Sequence, residues 1–137
     1  MSSSFNSNKA PLPVGLYPHA KRVGGLLFLS GVGPRKRGQI KIPGVNLNKD
    51  GDFESYDIRK QCVAVFDNIK YILEESGSSW NNIVDVTVFL TNMEKDFKIY
   101  NELYAEYFKG PLPTRTTVEI NCLPTPIAIE LKVIATI

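Results

Sequence analysis

A single histidine and two cysteines in 137 residues leave little from which to build a metal centre or a disulfide framework. His19 has no companions at metal-ligand spacing, and Cys62 and Cys122 are too few for the cross-linked scaffold of a small secreted protein. The expectation is reduced thiols, no metal and a cytoplasmic location. No apolar run approaches the roughly 20 residues that span a bilayer, so no membrane partner is expected. The net charge is only +2. That is too small for the phosphate-neutralising face of a nucleic-acid-binding domain, and no nucleic acid is expected as a partner. The one dense basic cluster, "PRKRG" at 34–38, reads first as a solvated loop.

The familiar chemical signatures are missing as well. The glycines of "GGLLFLSGVG" surround a strand-like run instead of opening a helix, so they form no dinucleotide fingerprint. There is no phosphate-loop pattern, no zinc-protease pattern and no G-x-S-x-G elbow. A Ser-His-Asp triad would have to use His19, close to the N-terminal tail.

What remains is a chain of 43% hydrophobic residues, enough for one globular domain with a proper core. Residues 1–9 are rich in Ser and Asn and are expected to form a flexible tail, with a single domain over 10–137. "LLFLSGV" at 26–32 predicts a buried strand. From Ser55 to about Ser76, Ile58, Cys62, Val65, Phe66, Ile69, Ile72 and Leu73 recur at spacings of three and four and predict an amphipathic helix stopped by Gly77. Cys62 lies on its apolar face and reads as a small hydrophobe. "IVDVTVFL" at 83–90 is β-branched and predicts a strand. "TNME" at 91–94 has the form of a capping box, with Thr91 and Glu94 serving a second helix. Phe97, Tyr100, Tyr104, Tyr107 and Phe108 give that helix an aromatic stripe, which reads as packing against a sheet. Two more strands follow, one in "PTRTTVE" and one from about Ile127. This order predicts an α+β layer with both helices on one face of a sheet.

A few polar residues sit in otherwise apolar surroundings. Asn101 falls at the edge of the aromatic stripe and needs a hydrogen-bond partner. In an extended "PTRTTVE", Arg115, Thr117 and Glu119 share one face, and the greasier set of Thr116, Val118 and Ile120 shares the other. Arg115 is thus expected on a comparatively polar face, which could be solvent, a subunit contact or an anion pocket. Glu130 lies in the last strand with Ala128, Lys132 and Ile134 on its side, either at the surface or in a pocket. With Tyr17 and Ser30 these residues suggest a pocket for a small polar ligand. Arginine's planar fork matches a carboxylate, hydroxyls and amides orient it, and a carboxylate manages water.

"GLYPHA", "LLFLSGVGP", "DVTVFLTNMEKDFKIYNELYAEYF", "PTRTTVE" and "IAIELKVIAT" resemble the RidA family in order and spacing, over almost everything from Ala10 onward. The resemblance implies a chorismate-mutase-like α+β fold: a mixed sheet with two helices packed on one face, assembled as a homotrimeric barrel with clefts between subunits. It implies hydrolysis of reactive enamines and imines to keto acids and ammonia, with no cofactor. Arg115 would hold the substrate carboxylate and Glu130 would position or activate water. Tyr17, Ser30, Gly31, Asn101 and Thr117 would complete the substrate site.

Where many relatives have Cys two residues after the arginine, this chain has Thr117. "SGVGP" and "GLY" also depart from the commonest pattern. These departures are similar to the 2-aminomuconate deaminase branch, whose substrate is a dicarboxylate. That gives "PRKRG" a second reading, in which Arg35, or else Arg37, meets the distal carboxylate. Three alternatives stay open: a general 2-iminobutanoate/2-iminopropanoate deaminase, a non-catalytic ligand-binding or chaperone-like trimer, and a ribonuclease or translation inhibitor. The near-neutral charge argues against the last.

Overall fold

In the computed structural model, which describes residues 2–137, eight strands and two helices follow one another along the chain. The strands are β1 Ser2–Phe5, β2 Ala20–Val23, β3 Leu26–Leu29, β4 Val45–Leu47, β5 Phe53–Tyr56, β6 Ile83–Leu90, β7 Thr114–Glu119 and β8 Ile129–Thr136. The helices are α1 Ile58–Glu75 and α2 Met93–Tyr107. Six strands form one sheet in the order β1-β2-β3-β8-β6-β7, and β4 and β5 make a separate hairpin. Every neighbouring pair in the large sheet is antiparallel except β6 and β7, which α2 connects in parallel. This is the mixed sheet with helices on one face that the family resemblance implied.

The core lies between that face and the helices. Cys62, Val65, Phe66, Ile69 and Leu73 of α1 meet Leu27 and Leu29 of β3, Val86, Val88 and Leu90 of β6, and Ile129, Leu131, Val133 and Ala135 of β8, all in one buried cluster. Each set follows the period of its element, every second residue on a strand and every third or fourth on a helix. Burial in the apolar interior pushes the Cys62 thiol up to about 12, with the nearby Asp96 adding to the rise. Cys62 is therefore an inert packing residue.

Several boundaries differ from the sequence reading. Residues 2–5 are not a free tail: they pair antiparallel with β2, from Ser2 opposite Val23 to Phe5 opposite Ala20. The segment behind them is tied by side chains. Ser7 N–H donates to His19 Nδ1 at 2.8 Å, and Arg37 donates to the carbonyls of Ser7 and Ala10 at 3.1 and 2.8 Å. The first helix begins at Ile58, because Phe53–Tyr56 pair with β4 and Asp57 becomes the N-cap, its carboxylate accepting from Lys60 N–H. Gly77, at φ 83°, closes that helix: its N–H donates to Glu74 O and the N–H of Ser78 to Leu73 O, the paired bonds of a Schellman ending. The expected capping box does not form, and the N-cap lies one residue later. Thr91 stays bonded to Ala128 in the sheet, and Asn92 caps α2 by accepting from Lys95 N–H at 3.0 Å. Glu119, at the end of β7, accepts from Met93 N–H at 2.9 Å and satisfies another free donor of that helix start.

Candidate active site

Two clusters of polar side chains stand out, one on each face of the sheet. The first forms where β3 leaves β8. Leu29 ends β3, and Val32 rejoins β8 through a reciprocal pair of bonds with Leu131, of 2.8 and 3.0 Å. Between them the chain lifts away. Ser30 turns to the preceding loop, its N–H donating to His19 O at 3.0 Å and its hydroxyl to Pro18 O at 2.7 Å. Gly31 then passes directly over Glu130. A Cβ at this position would lie 2.6 Å from Glu130 Oε2, so only glycine leaves the carboxylate where it is.

The loop beyond is held from below. Asn68, buried on α1, donates to the carbonyls of Gly33 and Arg35 at 2.9 and 2.7 Å. This pins the chain as it leaves the sheet and sets Arg35 at the rim, where its guanidinium also donates to Leu12 O at 2.8 Å. Tyr17, Ser30, Gly31, Arg35 and Glu130 thus line a cleft of about 340 Å³, closed on another side by Pro124, Thr125 and Ile127. Five of the expected site residues are brought together here. Arg37 is not among them: its Nη1 donates to the carbonyls of Ser7 and Ala10, and of the two arginines in the basic cluster only Arg35 lines the cleft.

Glu130 is the titrating group of this cleft. Burial raises its carboxyl above the ordinary range, and the positive charge of Arg35 acts in the opposite direction. A carboxyl poised in this way exchanges protons nearer neutrality than a free one.

The second cluster surrounds Arg115. By register, Arg115 sits beside Val86 and Thr117 beside Val88, so their side chains share the helix-facing side of the sheet. Arg115's comparatively polar face is thus the one covered by α2, and the face that Thr116 and Val118 share points away from the helices. β7 is an edge strand, and α2 covers its start with aromatic rings. Arg115 Nη2 donates to Asn101 Oδ1 at 2.7 Å. Its guanidinium lies over the rings of Tyr104, Tyr100 and Phe97, at 4.6, 5.6 and 6.0 Å from their centroids. The hydroxyls of Tyr100, Tyr104 and Thr117 are buried without a hydrogen-bond partner.

Glu130 belongs to the other face. It pairs with Phe89 of β6 and alternates with the buried Ile129 and Leu131. Within one chain, then, Arg115, Asn101 and Thr117 form one half of the expected site, and Glu130, Tyr17, Ser30, Gly31 and Arg35 form the other, with the sheet between them. Two contributors were not apparent from the sequence: Asn68, which interrupts an apolar helix face, and the tyrosines of α2, whose rings read as packing. A polar amide at a core-facing helical position was the available signal for the first; nothing in the spacing distinguished the second. Among the described residues no group of three or more His, Cys, Asp or Glu side chains is placed to hold a metal ion. No helix among them is long and apolar enough to cross a membrane.

A family profile described as Endoribonuclease L-PSP matches residues 7–137. Over 129 residues the chain is 40% identical to a RutC family protein of Pyrococcus abyssi, covering 94% of this chain and 92% of that one. It is 33% identical over 128 residues to a 2-iminobutanoate/2-iminopropanoate deaminase of Dermatophagoides farinae, covering 93% and 91%. Among solved structures, that of RidA from the Antarctic bacterium Psychrobacter sp. superposes with a TM-score of 0.83 at 30% identity, covering 98% of this chain and 99% of the other.

Proposed function

The chain belongs to the Endoribonuclease L-PSP family, that of RidA, and from this membership and its two half-sites we propose that it hydrolyses carboxylate-bearing enamines and imines to keto acids and ammonia. The observation that carries the reading is Glu130, a half-buried carboxyl with a raised proton affinity, facing a cleft that also holds a guanidinium, a tyrosine and a serine. A relative named 2-iminobutanoate/2-iminopropanoate deaminase supports it.

In the proposed mechanism Arg115, fixed by Asn101, binds the carboxylate next to the reacting carbon. Protonated Glu130 gives its proton to the enamine carbon and leaves an iminium. The carboxylate so formed takes a proton from water as the water oxygen bonds to the iminium carbon. The carbinolamine then collapses: its hydroxyl proton passes to its nitrogen, which departs as ammonia, and a keto acid remains. Glu130 is restored, so enamine and water have become ketone and ammonia.

Because Arg115 and Glu130 lie on opposite faces of the sheet, the complete site is assembled from two copies of the chain. The homotrimer implied by the family resemblance supplies such an arrangement. The sheet face that carries Glu130 also carries Phe28, Phe89, Val118 and Ile134, all partly buried, which suits it to association between copies.

Within this class we assign 2-aminomuconate, a dicarboxylate enamine, as the preferred substrate. Arg35 in the cleft gives the distal carboxylate a cation of its own while Arg115 holds the other. The test is ammonia release from 2-aminomuconate generated in situ, run beside 2-iminobutanoate. Arg35→Ala is expected to raise KM for the dicarboxylate about tenfold and to leave KM for the monocarboxylate within about twofold. Equal effects on both would move the assignment to the general deaminase; no release by the wild type would remove the enzymatic reading. RNA cleavage finds less support, since the net charge is +2 and Phe66, Tyr100 and Phe108 are packed inside.

The close approach of Gly31 gives a further expectation. Gly31→Ala pushes only the end of the Glu130 side chain, so stability should change by less than about 1 kcal/mol. Turnover should nevertheless fall by about ten- to a hundredfold, because a misplacement of roughly 1 Å is costly at a reacting group. Thermal unfolding and steady-state kinetics on the same preparation check both halves.

A further inference from the structure

The three unpartnered hydroxyls around Arg115 are not explained by packing. Tyr100 and Tyr104 on α2 and Phe108 at its C-cap recur every fourth residue and present their rings to one another: Tyr104 stacks on Phe108 at 4.1 Å and 21°, and lies 5.7 Å from Tyr100. Phe108 in turn packs on Trp80 at 4.7 Å, and the Trp80 indole N–H donates to Tyr107 O at 2.9 Å. This aromatic column fixes the Tyr104 ring under the guanidinium. Phenylalanine would serve the column equally well, and it would leave no buried O–H without a partner.

The chemistry of the surrounding groups says what such a partner must be. Arg115 carries five N–H donors in a planar fork, and the Asn101 amide oxygen accepts from one nitrogen. Thr117, two residues further along β7 on the same face, adds another unpartnered hydroxyl to those of Tyr100 and Tyr104. Burial raises the Tyr104 phenol above its ordinary value, and Asp85 adds to this against the opposing charge of Arg115. The phenol is therefore a neutral O–H donor under physiological conditions. A cation with donors to spare, bordered by hydroxyl donors, calls for a ligand that only accepts and carries negative charge: a carboxylate, with room on its oxygens for more than the arginine fork.

We propose that Tyr104 is a carboxylate-binding residue, its hydroxyl donating to the same carboxylate that Arg115 holds and thereby selecting acids over their neutral analogues. This deepens the deaminase reading and rests on it for the identity of the substrate, but the binding site is testable without turnover.

The experiment measures calorimetric binding of 2-oxobutanoate, and of its neutral amide, to wild-type protein and to Tyr104→Phe. Light-scattering mass and thermal midpoint are recorded for both. The phenylalanine keeps the ring and its stacking and removes only the hydroxyl. The expected result is about a tenfold or greater rise in Kd for the acid, with mass unchanged and thermal midpoint unchanged or raised. The amide should bind weakly and equally to both proteins. Thr117→Val, which removes another of the three hydroxyls at nearly constant volume, should weaken the acid in the same direction. An unchanged Kd for the acid in Tyr104→Phe overturns the proposal. So does no binding by the wild type, or loss of the wild-type mass in the variant, which would give the hydroxyl to a contact between copies. Ammonia release is followed in parallel with 2-iminobutanoate. If the wild type releases none, yet binds the acid in a Tyr104-dependent way, the deaminase reading fails and the carboxylate site stands.

Discussion

Replacing Arg115 with lysine is expected to lower kcat/KM for 2-iminobutanoate by about two to three orders of magnitude, although the charge is kept. The guanidinium does three things here that an ammonium cannot do together. It donates to Asn101 at 2.7 Å, it lies over the Tyr104 ring at 4.6 Å, and it still has donors for a carboxylate. A lysine ammonium is a point charge on a flexible stem, more strongly hydrated, and it fits poorly among Phe97, Tyr100 and Tyr104. The loss should fall mainly on KM if the carboxylate contact is the same in ground and transition states, and calorimetry with 2-oxobutanoate should show a matching loss of affinity. Arg115→Lys with near-normal kcat/KM would mean that the carboxylate is bound elsewhere.

Glu130→Gln should have the complementary signature: kcat reduced by about 10²- to 10⁴-fold, with 2-oxobutanoate still bound. The amide preserves size and polarity but can neither give a proton to carbon nor take one from water. The loss cannot be ascribed to a weakened fold. Burial raises the folded carboxyl above its unfolded value, so its stabilising contribution is complete only below the unfolded value and is lost as pH rises through the folded one. At neutral pH the glutamine variant should therefore be at least as stable as the wild type. The pH profile adds a second check. The limb that Glu130 governs should lie above the usual carboxylate range and vanish in Glu130→Gln. It should move further up in Arg35→Ala, because the Arg35 charge holds the carboxyl down. A profile identical in wild type and Arg35→Ala would separate Glu130 from the observed titration.

The elements legible in the sequence were those whose periodicity is long and unbroken. β6 matches its expected bounds, 83–90, and every residue of the expected apolar face of α1 is buried, since eighteen helical residues and eight strand residues repeat one pattern often enough to fix it. β1 could not be read, because Ser2–Phe5 has no apolar pattern of its own. It is held by pairing with β2, while the following residues are anchored by His19 and Arg37, partners 12 to 30 positions away. The surroundings of Arg115 were left open among three alternatives for a related reason. On an edge strand alternation is weak, and the choice of side is made by α2, whose aromatic rings receive the guanidinium. The residues that gather around the cleft and around Arg115 could be named as candidates from motif and resemblance. Their division between two faces could not, because it depends on the register of β6 with both β7 and β8.

That division gives the most direct test of the account. Arg115→Ala and Glu130→Gln proteins, each inactive alone in ammonia release from 2-iminobutanoate, are mixed in equal amounts, unfolded together and refolded. If each site takes Arg115 from one copy and Glu130 from another, random reassembly restores about a quarter of the wild-type activity per chain. If both residues act within one chain, the mixture stays as inactive as its components, and the composite site proposed here is wrong.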